Sequence, residues 1–193
     1  ENFRNGNPMD NSNTTKSEFR YQQRGYAKYG DIARLFGWQA LKNFFKQENL
    51  DFNAGTLTCF EEAVCRDGLA QVDSRILRLS KGAGTDLTPL IHFWGVHPDN
   101  STALAQAITA AGLDNSTIVR DKLVYYAGIA PTNNAEFNTH FETVFPGRPE
   151  GGHPDYGVGW YNVWRDSFNE SHGAQIKTTV QSLLSQYFPG TNL

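Results

Sequence analysis

Two cysteines, one methionine and a charged fraction of only 19% are what this chain of 193 residues has least of. Cys59 and Cys65 do not form CxxC pairs and have no histidine close by in sequence. That leaves no pattern for a structural zinc site and none for a sequence-adjacent thiol–imidazole pair. Lys and Arg (17) do not outnumber Asp and Glu (20), and a formal charge of −3 gives no electrostatic footprint for nucleic acid or an anionic membrane. No apolar run approaches the ~20 residues that a membrane-spanning helix needs. GxSxG is missing, and so is the GK[ST] ending of a phosphate loop. The Gly82-Ala83-Gly84-Thr85 segment is therefore better read as a helix end than as a phosphate cradle.

What remains is apolar and aromatic. Hydrophobic residues make up 39% and aromatics 13%, enough for a core in a domain of this size. The chain is organised around Leu69 to Pro98. Leu69, Val72, Ile76 and Leu79 share one helical face, and Gln71, Asp73, Arg75 and Arg78 fall off it. Gly82 and Gly84 are expected to end that helix. Thr85 or Asp86 then caps a second helix, with Pro89 in its first turn. Leu87, Leu90, Ile91 and Trp94 form its stripe, and Gly95 and Pro98 stop it. His92 falls opposite the stripe, as a surface or second-layer residue.

The same periodicity divides the rest. Residues 1–18 read as a linker or surface extension, and 19–193 as a single helical domain. Tyr26, Tyr29, Ile32, Ala33 and Phe36 lie on one face, and Trp38, Leu41, Phe44 and Phe45 on another. The stripe jumps at Gly37, so two helices meet there. Asn100 or Ser101 caps a helix with Leu104 and Ile108 inward, ended by Gly112. Asp114 or Asn115 caps the next, with Val119, Leu123 and Tyr126 inward. The β-branched, aromatic run from Lys122 to Ile129 also suits a strand, but a helix fits its caps better. Phe137, Phe141, Val144 and Phe145 mark another helix, and Ile176, Val180, Leu183, Leu184 and Tyr187 the last. The fold class is mainly α, a bundle of about six to eight helices, with an irregular loop near 146–157.

Candidate chemistry is sparse. The histidines are His92, His97, His140, His153 and His172, and none pairs at the i, i+4 spacing that sets two imidazoles on one helical face. No catalytic and no metal-ligating residue is assigned, and the chain itself needs no cofactor. His153 and Asp155, in the long loop, and Trp160 and Trp164 just after it are weak candidates for substrate contact. Trp38 and Trp94 lie on faces expected to be buried, so core packing explains them better than stacking on a sugar. Cys59 and Cys65 read as a local disulfide of a secreted protein, or else as two buried free thiols. The Asn-x-Ser/Thr matches at Asn13, Asn100, Asn115 and Asn169 carry meaning only in a eukaryotic secretory pathway.

Two stretches add a resemblance. Ala33 to Phe45 and Arg75 to Pro98 resemble the region after the active site in enhancin-like zinc metallopeptidases. That family includes secreted mucin-degrading enzymes and bacterial accessory colonization factor-type lipoproteins. The matching residues are Phe36, Gly37, Trp38, Ser80, Gly84, Asp86, Leu87, Phe93, Trp94, Gly95 and Pro98. The zinc signature HExxH is absent, so no ligand is carried over. The resemblance implies the C-terminal helical part of a larger, secreted or cell-surface bacterial zinc peptidase acting on glycoproteins or mucins. Its zinc and its upstream catalytic domain would lie before Glu1. The alternative is a non-catalytic glycan- or protein-binding module.

Overall fold

The computed structural model describes residues 18–55, 65, 67–144 and 170–191. Eight helices account for most of them: α1 (Glu18–Phe36), α2 (Trp38–Asn53), α3 (Gln71–Ala83), α4 (Thr88–Phe93), α5 (Ser101–Ala110), α6 (Thr117–Ile129), α7 (Asn134–Val144) and α8 (Glu170–Tyr187). No strand occurs among the described residues; the only β feature there is an isolated bridge between Asp86 and Asn115. The architecture is the helical bundle that the apolar periodicity predicts. The linker proposed for residues 1–18 lies almost wholly outside the described residues, as do the 146–157 loop and Cys59.

The chain divides into two compact units, one within Ser12–Lys122 and one within Leu123–Leu193. In the first, α1 and α2 are separated by a single residue, Gly37, at φ 79° and ψ 162°. That conformation costs glycine nothing and is strained for any L side chain. The chain therefore breaks where the stripe jumps. α2 packs on α1 and on α3, and α3 packs in turn on α4 and α5. Ile32, Leu41, Phe44, Ile76, Leu79, Leu87, Leu90, Ile91 and Phe93 fill the core between them. Burying each of the larger ones contributes about 1.5–3 kcal/mol.

α3 and its ends depart from expectation twice. Gly82 does not end the helix. It lies inside α3, where a Cβ would stand 2.7 Å from the Ala40 carbonyl oxygen and 3.2 Å from Phe44. Its role is close approach between α2 and α3. The left-handed residue that stops the helix is Gly84, at φ 74°. Asp73, expected off the buried face, is fully buried. Its carboxylate oxygens accept from the backbone N–H groups of Asp99 and Asn100, each at 2.8 Å. Those amides lead into α5, so a side chain of α3 satisfies donors that precede another helix's first turn.

Other caps follow local rules. Asp86 Oδ1 accepts from Thr88 N at 2.8 Å, and Asn100 Oδ1 accepts from Ala103 N at 3.0 Å. At the start of α6, Ser116 Oγ accepts from Ile118 N at 3.2 Å. The Asp114 carbonyl receives Asp86 N and Thr85 Oγ1. The alternative of a strand at Lys122–Ile129 is settled in favour of helix.

In the second unit, α8 buries Ile176, Val180, Leu183 and Leu184 at the expected spacing, and Gly190 follows it at φ 89°. α7 opens on a capping-box arrangement. Asn133 Oδ1 accepts from Glu136 N, while Glu136 Oε2 accepts from the Thr132 N–H and hydroxyl. The bonds from the Thr132 backbone and side chain hold the Glu136 carboxyl below its ordinary value.

Candidate functional site

Four polar groupings in the α1–α5 unit bring chemistry-bearing side chains together. The first joins α1, α4 and the start of α6. Asp31 is buried, and its Oδ2 accepts from Trp94 Nε1 at 2.9 Å. Lys122 Nζ stands 3.9 Å from Asp31 Oδ1. Trp94 therefore differs from the purely apolar anchor its stripe predicts. It is half-buried at the C-terminus of α4, with its indole N–H spent on a carboxylate, and the deeply buried aromatic beside it is Phe93.

The second grouping runs along α3. Ser74 is fully buried; its hydroxyl donates to Asp67 Oδ2 at 2.6 Å and accepts from Arg78 Nη1 at 2.6 Å. Arg78 Nη2 also reaches Glu48 Oε1 on α2 at 3.5 Å. A serine beside a carboxylate has the parts of an activated nucleophile. Here the guanidinium donates into the hydroxyl oxygen that would have to attack, and burial keeps a substrate from reaching it. This network holds α3 to α2 and to the turn before it. Ser80 does similar work at the other end of the helix, where its Oγ accepts from Leu87 N at 3.0 Å.

The third grouping is the pair His92 and His97, with ring centroids 4.2 Å apart in an edge-on arrangement. No third His, Cys, Asp or Glu joins them as a metal-holding cluster among the described residues. Two imidazoles fall short of the three or four protein ligands that zinc takes.

The fourth is basic and aromatic. Arg75 Nη2 donates to the Tyr29 hydroxyl at 3.0 Å, and the Arg75 guanidinium lies 5.8 Å from the Phe44 ring centroid. Lys28 Nζ stands 5.2 Å from the Tyr29 ring, and Tyr29 is 6.3 Å from Phe45. Burial, and then the nearby charge of Arg75, lower the Lys28 pKa. Beyond this group, Trp38, expected in the core, is 70% exposed. Sequence reasoning missed this surface because it set Trp38, Phe44 and Phe45 on one face with Leu41 and left Phe52 unassigned. The signal was present in Lys42 and Lys46, which share the outward arc with Trp38 and Phe45.

The substrate-contact candidates His153, Asp155, Trp160 and Trp164 lie outside the described residues, and so does Cys59. Cys65 is buried, and its amide donates to the Leu69 carbonyl. No helix among the described residues is long and apolar enough to cross a membrane. No family model, no curated protein and no solved structure matches the chain.

Proposed function

We propose that this chain is a non-catalytic helical scaffold, the post-catalytic part of an enhancin-like zinc metallopeptidase that acts on glycoproteins or mucins outside the cell. One observation carries the reading. Most of the residues that make up the resemblance hold turns, caps and packing positions of a single helical unit. Gly37 breaks α1 from α2, Gly84 ends α3, and Ser80 and Asp86 receive the amides that open α4. Leu87 and Phe93 are buried, Trp94 is tied to Asp31, and Gly95 turns the chain at φ 85°. These are the tasks of a wall that positions a cleft, and the zinc chemistry belongs to the upstream catalytic domain. A secreted setting goes with a Cys59–Cys65 disulfide. Its support is the burial of Cys65 and the absence of a free cysteine among the described residues.

The test is the coding sequence upstream of Glu1 together with the metal content of the dialysed chain. An HExxH upstream, no stoichiometric zinc in this chain and no digestion of mucin or casein by it are the expected results. One tightly held zinc per chain, or an upstream sequence without the signature, overturns the assignment. Mass spectrometry under non-reducing conditions should find no alkylatable thiol in exported protein.

A further inference from the structure

Among the described residues, α2 presents the largest apolar side chains with the least cover. Trp38, Phe45 and Phe52 are 70%, 52% and 64% exposed. They recur every seven residues, so each step drifts by only about 20° around the helix. The three form one stripe, about 21 Å long at the helical rise. Their exposed surface amounts to something on the order of 300–450 Å², given the size of aromatic side chains. That is the size of the largest apolar patch on an ordinary monomer, and such patches are often functional.

The charge around the stripe is of one sign. Lys42 and Lys46 are exposed on the same arc of α2, while Glu48 and Asp51 fall on the flank turned toward the core. Glu48 is committed to Arg78, and Asp51 accepts from Gln47. Beyond Phe45, through Tyr29, stand Lys28 and Arg75. None of these four cations has a carboxylate partner among the described residues. The Lys28 ammonium is also partly desolvated beside the Arg75 charge. In a chain with a net charge of −3, four cations with no carboxylate partner among the described residues, set around an exposed aromatic stripe, are a local inversion of the overall balance.

We infer that the Trp38–Phe45–Phe52 face of α2, with Lys28, Lys42, Lys46 and Arg75 around it, is a docking surface for an acidic amphipathic helix of a partner protein. Such a helix lays its apolar stripe along the three rings, in the manner of helix-in-groove recognition, and sets its carboxylates against the four cations. A second copy of this chain is a poorer occupant, because it would bring the same lysines against themselves. A lipid surface is a poorer one too, because the net negative charge of the chain opposes approach to anionic headgroups.

The full chain is titrated against a dye-labelled helical peptide of heptad repeats, with leucine at the core positions and glutamate elsewhere. The control is the same peptide with lysine in place of glutamate. Fluorescence anisotropy should show the glutamate peptide binding about tenfold or more tightly than the lysine peptide, with an affinity that falls as salt is added. The triple variant W38A/F45A/F52A should lose about tenfold, the scale of a hot-spot truncation. K42E/K46E should weaken the glutamate peptide and favour the lysine one. Both variants change exposed residues only and should melt as the parent does. Equal binding of the two peptides, or binding indifferent to both variants, overturns the inference. So does co-sedimentation with phosphatidylglycerol vesicles that depends on the same three aromatics, which would assign the face to a lipid surface. A dimer in gel filtration that W38A/F45A/F52A dissolves would assign it to self-association and equally overturn the inference.

Discussion

α2 and α3 pack on each other, and they break the simplest rule of a soluble helix in opposite directions. α3 hides polar groups: Asp73, Ser74 and Ser80 are buried. α2 displays apolar ones: Trp38, Phe45 and Phe52 stand out from it. The contrast teaches where the information in a helix resides. A buried polar residue is tolerated when its hydrogen bonds are met, and on α3 they are met largely from outside the helix, by Asp67, Leu87, Asp99 and Asn100. An exposed aromatic is tolerated singly, but a periodic row of them needs something to cover it.

Replacements on the two helices can break this contrast or sharpen it. The largest effect belongs to Asp73. Asp73→Ala removes the acceptor of two part-buried backbone N–H groups and should cost about 2–5 kcal/mol, since each hydrogen bond lost to a carboxylate contributes about 1.5–3 kcal/mol. Urea melts measure it, and a loss below 0.5 kcal/mol, within the ordinary range of a surface change, would mean that water replaces the carboxylate. Next comes Gly82, where the two helices meet. Gly82→Ala drives a methyl against the Ala40 carbonyl and should cost about 1–3 kcal/mol as overpacking. An unchanged melting temperature would show that the helices can separate without penalty.

A smaller effect is tied to pH. Lys28 has a lowered folded-state pKa, caused first by burial and second by Arg75. The folded state therefore binds the proton less readily than the unfolded chain does. Below the folded pKa, both states carry the proton and the full penalty of holding the charge applies. Stability rises as pH climbs from there toward the ordinary lysine value, where the penalty is gone. Lys28→Met should raise the melting temperature at neutral pH and flatten this alkaline rise. A rise of the same size in the variant would assign it to another group. The smallest effect is on α2 itself. Trp38→Ala should change stability by no more than about 0.5 kcal/mol, against the 3–5 kcal/mol expected for a core aromatic such as Phe93. A loss of core size at Trp38 would erase the contrast between the two helices.

Much of the fold is legible in the sequence because it is local. Gly37 announces the α1–α2 break, Asn100 the start of α5, and the spacing from Ile176 to Leu184 the inward face of α8. The non-local features are the ones that escape. Asp73 looks like an ordinary outward carboxylate, since its partners lie 26 and 27 residues away and no short-range pattern links them. Gly82 and Gly84 are two residues apart with opposite jobs, and only the proximity of Ala40 separates them. On α2, apolar residues cover more of the circumference than α1 and α3 can bury, so periodicity alone does not say which of them stays outside. The lysines interleaved with the aromatics were the available clue. The Ser74 network was unreadable for the reason that hid Asp73, because Glu48 and Asp67 reach it from outside its own helix.

The Asp73 carboxylate also links two clocks. The amides of Asp99 and Asn100 precede α5, yet their acceptor is on α3, so their protection from hydrogen exchange follows the opening of α3. α5 can fray from its far end without exposing them. The local Asn100 cap marks where the helix begins, but tying that entry point to α3 closes a loop of 26 residues, an entropic step separate from forming the helix.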